Sequence, residues 1–135
     1  MNIFDNVMWV LFVVSSSVME AYIFHGVTPW STTRINRHVF LQITRAVVFV
    51  GFFGINVNLL LYLLPHGLMF PFLHDGIYYT TRHSLNPSIY KLGWRDTSTT
   101  TDARFSFGYK KRKTFFILGG LIWIFYLLVE LLLPV

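Results

Sequence analysis

The sequence predicts an all-α, polytopic transmembrane bundle, and three observations carry that expectation. Apolar residues come in blocks rather than at amphipathic spacing. Only 13% of the chain is charged against 54% hydrophobic, about half the charge a soluble domain normally carries. Nearly all of the 11 lysines and arginines sit between the blocks, where the positive-inside rule places them on the cytoplasmic side. A membrane solvent accounts for all three. The 135 residues suit one integral domain with a few crossings of about 20 residues each.

The first block spans roughly 6–25 and is apolar apart from Ser15, Ser16, Ser17 and Glu20. Hydroxyl side chains are tolerated in such a helix because they bond back to its backbone. Met1 to Asp5 lack the positive region of a secretory leader, so this block is expected to be a retained span. Gly26, Thr28 and Pro29 then break the helix, ahead of a short polar stretch carrying Arg34 and Arg37.

From Val39 to Tyr79 the chain is almost continuously apolar. It holds either one span followed by a loop broken at Pro65 and Pro71, or two spans at 37–55 and 59–79. In the second case the chain turns at Asn56-Val57-Asn58, where asparagine tolerates the required backbone. Charge separates the two readings. With three spans, Arg34 and Arg37 face away from the basic residues of loop 80–113. With four, loops 26–36 and 80–113 share the cytoplasmic side and both termini lie opposite. Four spans satisfy the positive-inside rule more completely and are preferred, with three as the alternative.

The loop 80–113 is polar, but Tyr90, Trp94, Phe105, Phe107 and Tyr109 are too many aromatics for a featureless linker. It is expected to fold back over the bundle or lie along the headgroups. Lys110, Lys111, Arg112 and Lys113 directly precede the last span, 114–133, and read as a membrane-surface anchor attracting anionic lipid. Nucleic acid is not expected despite the net charge of +5. There is no cysteine, which excludes disulfides and thiolate metal sites.

Ionisable groups inside a span cost about 2.5–3.5 kcal/mol at a helix centre, so each invites a reason. Four spans bring Glu20 and His25 of the first helix, His38 and Arg45 of the second, and His74, Asp75, Tyr79 and Arg82 of the third to one face of the membrane. Arg34, His38, Gln42 and Arg45 form one helical stripe, and Asp75, Tyr79 and Arg82 another. Such stripes face the bundle interior, and the expected result is a polar pocket at the cytoplasmic interface.

Three uses follow. The preferred one is a membrane-embedded binding or accessory subunit, in which Arg45, Tyr79 and Arg82 hold a lipid headgroup or a partner's carboxylate. Its partners would be membrane lipid and other membrane subunits. The alternative is a metal-dependent enzyme acting on a lipid. Glu20, His25, His38, His74 and Asp75 are ligand types suited to zinc or non-haem iron, although no tight motif such as His-Glu-x-x-His occurs. A channel or carrier is the third; the outer half offers it only Asn56, Asn58 and His66. Against all of these stands a purely structural account, in which Glu20 pairs with Arg45 and Asp75 with Arg82 to set helix register. No known family is identified from these residues.

Overall fold

A computed structural model describes residues 3–25, 34–53, 57–88, 90–97 and 106–132; within the helices, the side chains of 3, 25, 34–40, 42, 52–53 and 57–60 lie outside that description. Every regular element among the described residues is helical. The helices are α1 (Ile3–His25), α2 (Arg34–Phe53), α3 (Val57–Leu85) and α4 (Tyr109–Leu132), with a single 3₁₀ turn at Gly93–Arg95 before α4. The long apolar block therefore divides into two helices, with α2 ending at Phe53 and α3 beginning at Val57. Asn56, the loop before α2 and most of the Ser/Thr run lie outside the described residues.

Both prolines sit inside α3, which runs unbroken for 29 residues, about 43 Å. Each proline removes one intrahelical hydrogen bond, the one to the carbonyl four residues earlier, Leu61 and Gly67 respectively. His66 Nδ1–H donates to the Tyr62 carbonyl at 2.8 Å beside Pro65. Gly119 of α4 packs against the same turn, so closely that a Cβ there would lie 2.7 Å from the Pro65 carbonyl oxygen. The helix stops where Asn86-Pro87 ends it. There the Asn86 side chain accepts from the Ser88 amide at 3.2 Å and the Ser88 hydroxyl at 2.5 Å, a side-chain turn of the kind asparagine favours.

α3 is the central helix: it packs on α1, α4 and the 3₁₀ turn, and more lightly on α2. Side-chain contacts give the helix directions. Asn6 and Glu20 of α1 meet His66 and His74 of α3, so these two helices run parallel. Arg45 and Phe49 of α2 meet His74 and His66, which makes α2 antiparallel to both. On α4, a Cβ at Gly119 would meet Pro65, and Phe116 touches Phe72, while Arg112 lies over Tyr79. That helix runs antiparallel to α3. The chain thus goes up and down four times in succession, the simplest bundle topology.

The described interior mixes apolar with polar side chains, while large apolar residues are exposed along the outside. Trp9, Val13 and Met69 form a small apolar core. Around it the interior holds Ser16, Ser17, Glu20, Arg45, His66, His74 and Arg112. The outside carries Phe4, Val7, Leu11, Val47, Leu63, Leu121, Phe125 and Leu128. On α1 the inward residues Trp9, Val13, Ser17, Glu20 and Phe24 recur every three or four positions, one face of a helix. The opposite face is as apolar as the core. On α4 only Arg112 and Gly119 are buried. Among the described residues, Phe4–Phe24 and Tyr109–Leu132 are long and apolar enough to cross a membrane.

Candidate functional site

Two polar clusters sit along the C-terminal half of α3, and they differ in how their charges are met. The first joins three helices. Glu20 reaches inward from α1 because it shares the stripe of Val13 and Ser17, and it forms an ion pair with Arg45 of α2. His74 of α3 completes the group, its Nε2 lying 2.8 Å from Glu20 Oε2 and 2.7 Å from Arg45 Nη2. His74 Nδ1 is 3.0 Å from Asp75 Oδ1. Aromatic rings enclose the imidazole: Phe70 stacks on it at 4.8 Å, and Tyr78 lies nearly parallel at 6.2 Å. Arg45 also lies over the Phe70 ring, 5.5 Å from its centroid.

The expected Glu20–Arg45 pair is therefore present, whereas Asp75 turns to His74 and not to Arg82. Seven helical positions separate Asp75 from Arg82, about 10 Å along the axis, too far for those side chains to close on one another easily. The network is compact and closed: each carboxylate has a partner, and only Arg45 Nε lacks a hydrogen bond. Its chemistry is that of a clamp holding α1, α2 and α3 at one relative height.

As a metal centre the same residues fit poorly. Both ring nitrogens of His74 are engaged, and the Arg45 guanidinium lies against both Glu20 and His74. A divalent cation there would face a fixed positive charge. Among the described residues no group of three or more His, Cys, Asp or Glu is placed to hold a metal ion. The side chains of His25 and His38 lie outside the description.

The second cluster lies at the far end of α3, beneath the segment 86–97. Tyr90 packs on Tyr79, ring centroids 5.2 Å apart, and the Tyr90 carbonyl accepts from His83 Nδ1–H at 2.7 Å. Trp94 lies over Gly76, where any Cβ would collide with the indole, and its ring meets Phe72 edge-on at 5.5 Å. Gly93, with φ of +53°, supplies the left-handed step that glycine adopts without strain. Asp96 Oδ2 then accepts from the Leu92 amide at 2.7 Å. These contacts fold the segment back onto the bundle, as its aromatic content suggests.

Two guanidiniums flank the tyrosine pair. Arg82 lies 5.4 Å over the Tyr90 ring, and Arg112 lies 5.4 Å over the Tyr79 ring. Lys110, Lys111 and Lys113 are exposed on the first turns of α4, but Arg112 between them is 0% exposed. Its Nη2 donates to the carbonyls of Asp96 at 2.6 Å and Trp94 at 3.2 Å. Of the four basic residues read as an anchor, the three lysines lie on the surface and the arginine belongs to the interior. The signal for this was helical phase: Arg112, Phe116, Gly119 and Trp123 fall at i, i+4, i+7 and i+11, the stripe of α4 that faces α3.

At the opposite end of the bundle, Asn6 Oδ1 accepts from Trp123 Nε1–H at 3.2 Å and lies 3.1 Å from His66 Nε2. This node ties α1, α3 and α4 together. His66 is 1% exposed, and Trp9 meets its ring edge-on at 4.6 Å. The apolar cluster of Trp9, Val13 and Met69 separates this node from the Glu20 network among the described residues. Compared with known proteins, the chain matches no family model, no curated protein and no solved structure.

Proposed function

We propose that this chain is a four-span membrane protein acting as a small binding or accessory subunit, which holds an anionic group at its cytoplasmic face. The observation that carries the reading is the apolar exterior of four alternating helices that enclose ionisable side chains. Charged and hydroxyl side chains are enclosed, while leucine, isoleucine, valine and phenylalanine cover the outside. An apolar exterior of this extent suits lipid or a partner, and intramembrane polar residues turn inward.

Length and charge agree with it. α2 has 20 residues, α3 29 and α4 24, each about 30 Å or more, enough to cross the hydrocarbon core. Alternating directions put the start of α2, the end of α3 and the start of α4 together. Arg34, Arg37, Arg82 and Lys110 to Lys113 belong to those ends, so the positive-inside rule assigns that face to the cytoplasm.

Single-cysteine mapping tests the arrangement. With Asn58→Cys, Ser31→Cys, Ser98→Cys and an added C-terminal cysteine, an impermeant maleimide applied to intact cells is expected to label the first and last only. Labelling at position 31 from outside with none at 58 would place the basic ends on opposite faces and end the four-span reading.

A further inference from the structure

We infer that Arg82 and Arg112, on the tyrosine pair Tyr79 and Tyr90, form a binding site for a phosphate-type anion. The inference rests on the reading above for its place at the cytoplasmic face and names the group held there. Three nitrogen atoms carry it. Arg112 Nε, Arg112 Nη1 and Arg82 Nη1 are buried and have no hydrogen-bond partner. Arg112 is also completely enclosed, and neither guanidinium forms an ion pair with a carboxylate among the described residues.

An arginine without a counterion is an expensive thing to enclose, because its charge is desolvated and its donors are left empty. Elsewhere the chain avoids this cost, since Arg45 is answered by Glu20. The two acids flanking the second cluster are already committed: Asp75 Oδ1 contacts His74, and Asp96 Oδ2 accepts from the Leu92 amide. The tyrosine faces and two carbonyl oxygens meet part of the Arg112 charge but provide no anion. Those carbonyl bonds also hold the guanidinium still, which lowers the ordering cost of binding.

Phosphate is the anion this donor set favours. Several oxygens sharing more than one negative charge can accept from guanidiniums at shorter, stronger hydrogen bonds than a neutral acceptor makes. The exposed Lys110, Lys111 and Lys113 beside Arg112 would concentrate anions at the entrance. The phosphate belongs to a lipid headgroup or is free in solution; the donors are the same in both cases.

The test uses the purified full chain in a neutral detergent. Native mass spectrometry with added phosphatidic acid or diacylglycerol, which differ by the phosphate, reads lipid binding; calorimetry with inorganic phosphate reads the free anion. One phosphatidic acid retained per chain, at least tenfold preferred over diacylglycerol, supports the site as a headgroup site. Saturable inorganic phosphate binding without that lipid preference supports it as a site for free phosphate. In either case Arg82→Gln and Arg112→Lys are expected to weaken binding at least tenfold, and the triple change Lys110→Gln, Lys111→Gln, Lys113→Gln to weaken it less than either. Arg82→Gln decides the matter if Arg112→Lys fails to fold. No binding of either probe, or binding that Arg82→Gln leaves unchanged, overturns the proposal. Cysteine mapping keeps the two readings separate: an intact four-span topology without anion binding removes this inference alone, and an altered topology removes the earlier one.

Discussion

Arg45 and Arg112 are both buried arginines packed against α3, yet their surroundings treat the charge in opposite ways. Arg45 meets a carboxylate from α1 and an imidazole from α3, and a second carboxylate stands behind that imidazole. Arg112 meets two backbone carbonyls and a tyrosine face. A charge answered by other side chains is used up in holding helices together. A charge answered only by dipoles is left over for something else. The contrast separates a structural clamp from a candidate binding site within one small bundle, using the partners of each nitrogen rather than residue type.

The largest effect should come from breaking the clamp. Glu20→Gln or Arg45→Met leaves a buried group without its counter-charge, and each is expected to cost about 3–5 kcal/mol in detergent-solubilised thermal unfolding. Replacing both with leucine should cost less than either single change. A loss below about 1 kcal/mol for both singles would mean the ionic network does not hold the helices.

Next come the close approaches. Gly119→Ala places a methyl 2.7 Å from the Pro65 carbonyl oxygen and 2.9 Å from Met69 Cγ, and overpacking of this kind costs about 1–3 kcal/mol. Gly76→Ala drives a methyl into the Trp94 indole. It should lift the segment 86–97 off α3, read as faster limited proteolysis there, and weaken anion binding because Trp94 and Asp96 no longer hold Arg112. Unchanged cleavage would show that the segment's position does not depend on this contact.

At the opposite end of the bundle, Asn6→Ala removes the acceptor of Trp123 Nε1–H and the neighbour of His66 Nε2. A loss of about 1 kcal/mol is expected, the usual net contribution of one hydrogen bond. Quenching and emission wavelength of Trp123 fluorescence check whether the indole loses its partner. The smallest stability effect belongs to Arg82→Gln. Arg82 is half-buried and has no carboxylate partner among the described residues, so its removal should leave unfolding within about 1 kcal/mol of the unmodified chain. If it destabilises as strongly as Arg45→Met, the second cluster is a clamp too, and the comparison fails.

Much of this was legible before any coordinates. Apolar blocks with polar breaks marked the helices. Placing the basic residues of loops 26–36 and 80–113 on one side favoured two helices over one in the stretch Val39 to Tyr79. Glu20 and Arg45, each inside an apolar block, pointed at each other, since each needed an opposite charge. The aromatic content of the loop foretold that it packs. Other features were not legible. Arg112 reads as one of four consecutive basic residues, and such a run looks like a single surface patch. On a helix, four consecutive residues point in four directions, and Arg112 takes the inward one. The sequence paired Asp75 with Arg82, whereas Asp75 meets the His74 ring, which Phe70 and Tyr78 hold in place. Asn6 and Trp123 carry no sign in the sequence that they converge, being far apart in the chain on different helices.

The pattern of apolar blocks and polar breaks already specifies helices, because a long apolar stretch between polar breaks can satisfy its backbone only within itself or against a neighbour. Pairing follows from rotation and height. A shift of one residue turns a side chain by about 100° and moves it about 1.5 Å. Gly119 against Pro65 and Trp94 against Gly76 fix α4 and the 3₁₀ turn on α3, a placement that leaves Arg112 without a carboxylate among the described residues. The facing of α1 and α2 gives Arg45 the carboxylate of Glu20.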